Sequence, residues 1–158
     1  MIKIFILVVL LLSNIIASDK TFFLPTDKKI ALKEMESQLK NAKESIDIAM
    51  YNLSYQKFNK LLDEAALRGV KVKIFYYKKK ADFTDTIEAI KIKDRLHIKM
   101  AIIDKKTVIF GSADWDDETF DGNYDVVYIS DREELVKEFN KFYQEMDKNK
   151  RNQVKDSK

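Results

Sequence analysis

Cysteine is absent from the 158 residues of this chain. Its absence excludes disulfide bonds, a lipid-modified cysteine near the N-terminus and a cysteine nucleophile, so stability must come from packing. Glycine and proline are also scarce, with three and one residues, while 46% of the residues are hydrophobic. This composition excludes a linker or a disordered protein and predicts one compact domain.

A strong excess of either charge is missing too. Lysine and arginine number 29 against 26 acidic residues, which gives a formal net charge of +3. Because the overall field is weak, any nucleic-acid binding must depend on local clusters. The clearest basic cluster comprises Lys71, Lys73, Lys78, Lys79 and Lys80, and is continued by Lys91, Lys93 and Arg95. Such a run is often a solvated surface, but its position before the histidine discussed below favours a role in guiding phosphate.

The N-terminus carries the one long hydrophobic run. A short basic start at Lys3 precedes nine uninterrupted apolar residues at 4–12, and the small residues Ala17 and Ser18 follow. This order predicts a signal peptide over 1–18, a mature chain from Asp19 and a secreted or periplasmic protein. The run is short of the roughly 20 apolar residues of a spanning helix. An uncleaved leader, which would give loose membrane association and an outer-membrane location, stays as the alternative.

Apolar periodicity predicts an α/β fold, a layered α-β-α sandwich around a mixed, largely parallel sheet. Isoleucines 46 and 48 and Met50 alternate as in a central strand, and Gly69 is placed to end the helix before the next strand. Predicted strands cover 21–24, 45–51, 70–77, 96–103, 107–110 and 124–130, and predicted helices cover 28–42, 55–68 and 131–146. Residues 84–90 are expected to form a short helix or a loop. The domain is predicted to span 19–147, followed by a polar disordered tail over 148–158.

The single histidine, His97, stands two positions before Lys99. In a strand, side chains at i and i+2 share a face, so the imidazole and the ammonium should lie side by side while Ile98 and Met100 face the core. The turn at Gly111-Ser112 offers a hydroxyl and a backbone amide. Together these groups predict a phosphate site, although a lone histidine in an apolar strand is more often structural.

The order His97-x-Lys99, Asp104, Gly111-Ser112 and Asn123-Tyr124-Asp125 resembles the motif of the phospholipase D superfamily, in particular its short, secreted, single-motif bacterial endonucleases. The resemblance covers about 23–142. It implies a phospholipase D-like fold and a phosphodiesterase, most simply an endonuclease that cleaves DNA or RNA. It implies no metal and no cofactor.

The resemblance also implies roles for individual residues. His97 would attack phosphorus to give a phosphohistidine, with Lys99 binding the phosphate and Asp125 partnering the imidazole. Ser112, Asp114 and Asn123 would complete the phosphate site. One histidine cannot be both nucleophile and acid, so the resemblance implies a homodimer in which two His97 side chains share one active site.

Two motif positions call for separate treatment. Asp104 lies seven residues from His97, more than about 20 Å along a strand, so it is expected to tie down the hairpin turn. Asp114 stands where the resembled pattern has asparagine, and its carboxylate is expected to repel phosphate. A nucleic-acid-binding module whose catalysis Asp114 has weakened therefore remains an alternative. A phospholipid phosphodiesterase is a second, independent alternative. Trp115 would stack on a base or belong to the core.

Overall fold

The computed structural model describes residues 18–78, 82–92 and 96–155, with side chains through residue 150. All but the last residue of the predicted signal peptide lies outside these ranges, and the leader stays a prediction. Within them the elements are β1 (Asp19–Phe23), α1 (Lys28–Asn41), β2 (Ser45–Met50), α2 (Gln56–Leu67), β3 (Lys71–Tyr76), β4 (Glu88–Lys91), β5 (Lys99–Ile103), β6 (Thr107–Gly111), α3 (Asp117–Gly122), β7 (Val126–Ser130) and α4 (Glu133–Lys155). None of the described helices is long and apolar enough to cross a membrane.

The strands form one seven-stranded mixed sheet in the order β1-β7-β6-β5-β2-β3-β4. Helices α1 and α2 pack on one face and α4 packs on the other, so the predicted α/β sandwich is confirmed. The expectation of a largely parallel sheet is wrong. Only β2–β3 and β3–β4 pair in parallel, while the other four strand pairs are antiparallel. A short turn between strands, such as the one joining β5 to β6, permits antiparallel pairing alone.

Central strand β2 follows the predicted alternation. Ile46, Ile48 and Met50 are fully buried in the cluster under α1 and α2, whereas Ala49 belongs to the cluster under α4. Gly69 follows α2 with a φ of 91°, a conformation that glycine adopts without steric cost, and it ends the helix as predicted.

Two segments differ from the predictions. Residues 84–90 were expected to be a helix or a loop, but positions 88–90 belong to edge strand β4, which pairs with β3. Its side chains are mostly exposed, so no apolar alternation marks it in the sequence. Helix α4 continues to Lys155, through most of the segment predicted as a disordered tail, because a helix can extend beyond its packed turns without further apolar residues.

Asp104 fastens the β5–β6 turn to the loop before β2. Its carboxylate accepts hydrogen bonds from the backbone N–H groups of Lys43 at 3.0 Å, Glu44 at 2.7 Å and Ser45 at 3.0 Å. Burial raises the pKa of Asp104, but these three N–H groups outweigh that effect and hold the pKa below its usual value. The predicted structural role of Asp104 is confirmed.

We expect Asp104→Asn to destabilise the fold by about 1–3 kcal/mol near neutral pH, since an amide accepts these hydrogen bonds less strongly than a carboxylate. Because the folded-state pKa is lowered, this contribution is present above the unfolded-state pKa of about 4 and is lost as pH falls through the folded value. Urea unfolding of wild type and variant at several pH values measures it. The exposed Asp85→Asn serves as the control, and equal stability of the two variants at pH 7 would contradict the role.

Candidate active site

The predicted site residues meet at one edge of the sheet. Because β5 is antiparallel to β2, with Met50 opposite Lys99, Lys99 begins β5 where β2 ends. In the same way β6 ends where β7 begins, with Gly111 opposite Val127. This edge therefore collects the start of β5, the end of β6 and the connection that follows β2.

Lys99 is a nearly buried cation, with 8% of its surface exposed. Its Nζ lies 3.3 Å from Oδ2 of Asp114 and donates to the backbone carbonyl of His97 at 3.3 Å. The same Nζ lies 5.0 Å from the centroid of the Tyr51 ring. These three contacts fix the ammonium in one position.

His97 lies just before β5, and its side chain is exposed. Its imidazole meets the Tyr51 ring edge-on, with the ring centroids 5.0 Å apart and the planes at 64°. Ile98 and Met100 belong to the opposite cluster, under α4. The strand predicted over 96–103 begins only at Lys99, so His97 lies just outside it. The imidazole and the ammonium both contact the Tyr51 ring, and Ile98 and Met100 face the core as expected.

Ser112 and Asp125 form a second pair at this edge. The Ser112 hydroxyl donates to Oδ1 of Asp125 at 2.5 Å and accepts from the backbone N–H of Val126 at 3.1 Å. The expected partnership of Asp125 with the imidazole is absent from the described contacts of this single chain. The Asp125 carboxylate accepts from the Ser112 hydroxyl instead, and its backbone carbonyl accepts from the N–H of Leu24.

Gly111 permits this pairing. Its φ is 156°, and a Cβ at this position would lie 2.0 Å from the carbonyl oxygen of Val126. Any side chain would therefore push β6 and β7 apart at the point where Ser112 reaches Asp125. Steric closeness thus explains the glycine of the Gly-Ser pair.

Asp114 is largely buried and bonded on both sides. Its Oδ1 accepts from the backbone N–H of Asn52 at 2.8 Å, and its Oδ2 pairs with Lys99. Burial raises the pKa of Asp114, and the Asn52 N–H and the Lys99 ammonium only partly offset this. The Asp114 carboxylate is thus paired with Lys99, and its expected repulsion of phosphate stays a prediction.

Sequence reasoning missed Asn52 and Asp116, which join the segments after β2 and β6. Asn52 donates from Nδ2 to Asp116 at 2.7 Å, and Asp116 caps α3 by accepting from the N–H of Thr119. For Asn52, the available signal was a polar residue two positions after the buried strand β2. Trp115, between Asp114 and Asp116 in the sequence, is 2% exposed and packs against Phe58. It therefore belongs to the core.

The basic cluster is divided between the two ends of the sheet. Lys71 and Lys73 border a cavity of about 460 Å³ at the far end, where Lys73 pairs with Glu88 and Asp147. Lys78 instead lies at the candidate site, 5.8 Å from the Tyr51 ring centroid. Lys79, Lys80, Lys93 and Arg95 fall outside the described residues.

Two neighbours of Asp125 lie on the surface. Asn123 is exposed where α3 ends, and Tyr124 is 92% exposed. The structure thus brings His97, Lys99 and Asp114 together, places Ser112 with Asp125, and leaves Asn123 apart in solvent.

Comparison with known proteins gives a consistent result. Residues 35–147 match the family model described as "Cardiolipin synthase, PLD-like domain". Among solved structures the chain is similar to NucT from Helicobacter pylori, with 28% identity and a TM-score of 0.72 over 82% of this chain and 95% of that one. Nuc from Salmonella typhimurium, described as a phospholipase D family member, shares the fold at 22% identity and a TM-score of 0.70, over 82% and 93% of the two chains. No curated protein sequence matches.

Proposed function

This chain belongs to the phospholipase D-like domain family of phosphodiesterases. We propose that it is an endonuclease that cleaves DNA, or RNA, and that His97 and Lys99 are its catalytic residues. The observation that carries the proposal is that an exposed imidazole and a nearly buried ammonium contact the same Tyr51 ring at one sheet edge. The motif spacing, the similarity to NucT and Nuc along almost their whole lengths, and Lys78 beside the site support it.

The proposed reaction runs in two displacements. A nitrogen of neutral imidazole attacks phosphorus, a P–N bond forms, and the P–O bond to the leaving strand breaks as its oxygen takes a proton. Water, deprotonated by a base, then attacks phosphorus and the P–N bond breaks, which restores the imidazole. Lys99 stabilises the negative charge on the phosphate oxygens in both steps. Since lysine supplies this charge, the proposed reaction is independent of a metal ion.

Purified mature protein should cleave plasmid, single-stranded DNA or RNA in the presence of EDTA, and should leave phosphatidylcholine intact. His97→Ala should lower cleavage by at least about a thousandfold, since it removes the nucleophile, and circular dichroism should show an unchanged fold. Cleavage by the folded variant would remove His97 from the mechanism. Loss of wild-type turnover on chelation, restored by calcium or magnesium, would overturn the metal independence, and turnover of phosphatidylcholine alone would favour a phospholipid phosphodiesterase.

We further propose that two chains form one active site. The reaction needs one group to attack and another to protonate the leaving oxygen, yet the sequence contains a single histidine and no cysteine. In a twofold dimer the same edge of both protomers meets, so each chain supplies one imidazole. The exposure of His97 leaves it free to approach its counterpart.

Mixing wild-type and His97→Ala chains tests this arrangement. If the two exchange freely at a ratio of one to one, only about a quarter of the dimers contain two histidines, so activity should fall to about a quarter. Independent sites would retain about half. Sedimentation across protein concentration measures the oligomeric state, and a monomer fully active at every concentration would refute the shared site.

Asp114→Asn should raise cleavage by about tenfold, which corresponds to roughly 1.4 kcal/mol. An asparagine oxygen can still accept from the N–H of Asn52, while Lys99 loses the carboxylate that competes with substrate. Initial rates at fixed ionic strength measure the effect. Asp117→Asn, an exposed change in the first turn of α3, controls for general loss of negative charge, and a fall in cleavage would show that Asp114 is needed to hold Lys99.

A further inference from the structure

Tyr51 stands directly after β2, and its half-buried ring is the meeting point of the candidate site. The ring contacts the imidazole of His97 at 5.0 Å between centroids and the Nζ of Lys99 at 5.0 Å from its centroid. No other aromatic ring contacts both groups among the residues that the structure describes. One side chain thus contacts both the proposed nucleophile and the proposed phosphate ligand.

Within one chain, this contact is what can restrict the orientation of the imidazole. In the described part of the chain, the Tyr51 ring is the one side-chain partner of the His97 imidazole, which makes no hydrogen bond there. An exposed histidine without a hydrogen bond rotates about its side-chain bonds unless a neighbour restricts it. The edge-on packing supplies that restriction.

The ring also acts on the cation. An aromatic face attracts an ammonium through its quadrupole, and the attraction grows when the cation is withdrawn from water. Lys99 is nearly buried, so the ring and the Asp114 carboxylate together fix its Nζ. One ring is therefore in contact with both the imidazole and the ammonium.

Tyr51 is itself held in place by the chain that follows β3. The Tyr77 ring stacks on it at 5.5 Å with planes 19° apart. The backbone N–H of Lys78 donates to the carbonyl of Tyr51 at 2.8 Å, and that of Tyr77 donates to the carbonyl of Met50 at 3.3 Å. These bonds continue the parallel pairing of β2 and β3 beyond both strands, which gives the ring a rigid support.

We propose that Tyr51 is a positioning residue that sets the distance and orientation between the His97 imidazole and the Lys99 ammonium. The effect of Tyr51 on catalysis rests on the proposed function. Its contact with His97 and Lys99 can be tested without measuring cleavage. The ring is what acts: within the described residues the Tyr51 hydroxyl makes no hydrogen bond. Phenylalanine at position 51 should therefore preserve the positioning of His97 and Lys99, whereas an aliphatic side chain should lose it.

Because the chain contains a single histidine, its imidazole gives one set of resonances that can be followed by NMR. Tyr51→Leu should shift the imidazole proton signals, since the ring current of Tyr51 is lost, and Tyr51→Phe should restore them. With cleavage of a single-stranded oligonucleotide as the second readout, Tyr51→Leu should lower kcat by about ten- to a hundredfold with little change in KM. Tyr51→Phe should recover most of that loss.

Tyr55→Leu is the matched control. It removes a partly buried ring from the same connection, but one that packs on Phe58 and Phe120 in the core. It should lower thermal stability while the imidazole signals stay at their wild-type positions. Equal shifts and equal kcat losses in Tyr51→Leu and Tyr55→Leu would show a general packing effect and overturn the inference.

The two proposals fail separately. If the imidazole signals of Tyr51→Leu match those of wild type, Tyr51 does not position His97, whatever the enzyme cleaves. If the signals shift as expected and Tyr51→Phe restores them, but wild type cleaves no nucleic acid, the contact between the ring and the imidazole stands and the proposed nuclease function is wrong.

Discussion

The candidate site depends on the cost of placing a positive charge where little water reaches it. An ammonium as buried as that of Lys99 is unfavourable unless opposite charge and hydrogen-bond acceptors surround it. Asp114, the carbonyl of His97 and the ring of Tyr51 meet this requirement together. The N–H of Asn52 bonds to the same Asp114 carboxylate, so the connections after β2 and β6 are joined beside the buried charge.

The two aspartates of the motif region perform opposite tasks at opposite ends of β5. Asp104 accepts three backbone N–H groups, which lowers its pKa and fastens the hairpin turn to the rest of the sheet. Asp114 is more deeply buried and receives a single backbone hydrogen bond, so its pKa is raised. Residue type alone does not separate these roles. The number of donors and the loss of water around each carboxylate do.

The lysines, like the two aspartates, are divided between the two ends of the strands. Lys71 and Lys78 are seven residues apart, and β3 carries them to opposite ends of the sheet, so only Lys78 can act with the site. A run of lysines along a strand therefore does not form one phosphate-binding surface. The strand rises about 3.3 Å per residue, which separates its two ends by roughly 20 Å.

The sequence by itself determined the features that depend on neighbours in the chain. Alternation placed Ile48 in the core and Gly69 ended α2, because strand and helix periods repeat over a few residues. Only the tertiary structure decided that four strand pairs are antiparallel and that β4 joins the sheet.

The partners of the polar side chains also came from the tertiary structure alone. Asp125 bonds to Ser112, thirteen positions away, and Asp114 bonds to Asn52 across 62 positions. Trp115 became part of the core because α2 presents Phe58 to it. Such contacts follow from how the strands are ordered in the sheet. No local pattern encodes that order, since hydrogen bonds and ion pairs form between whichever groups folding brings within about 3 Å.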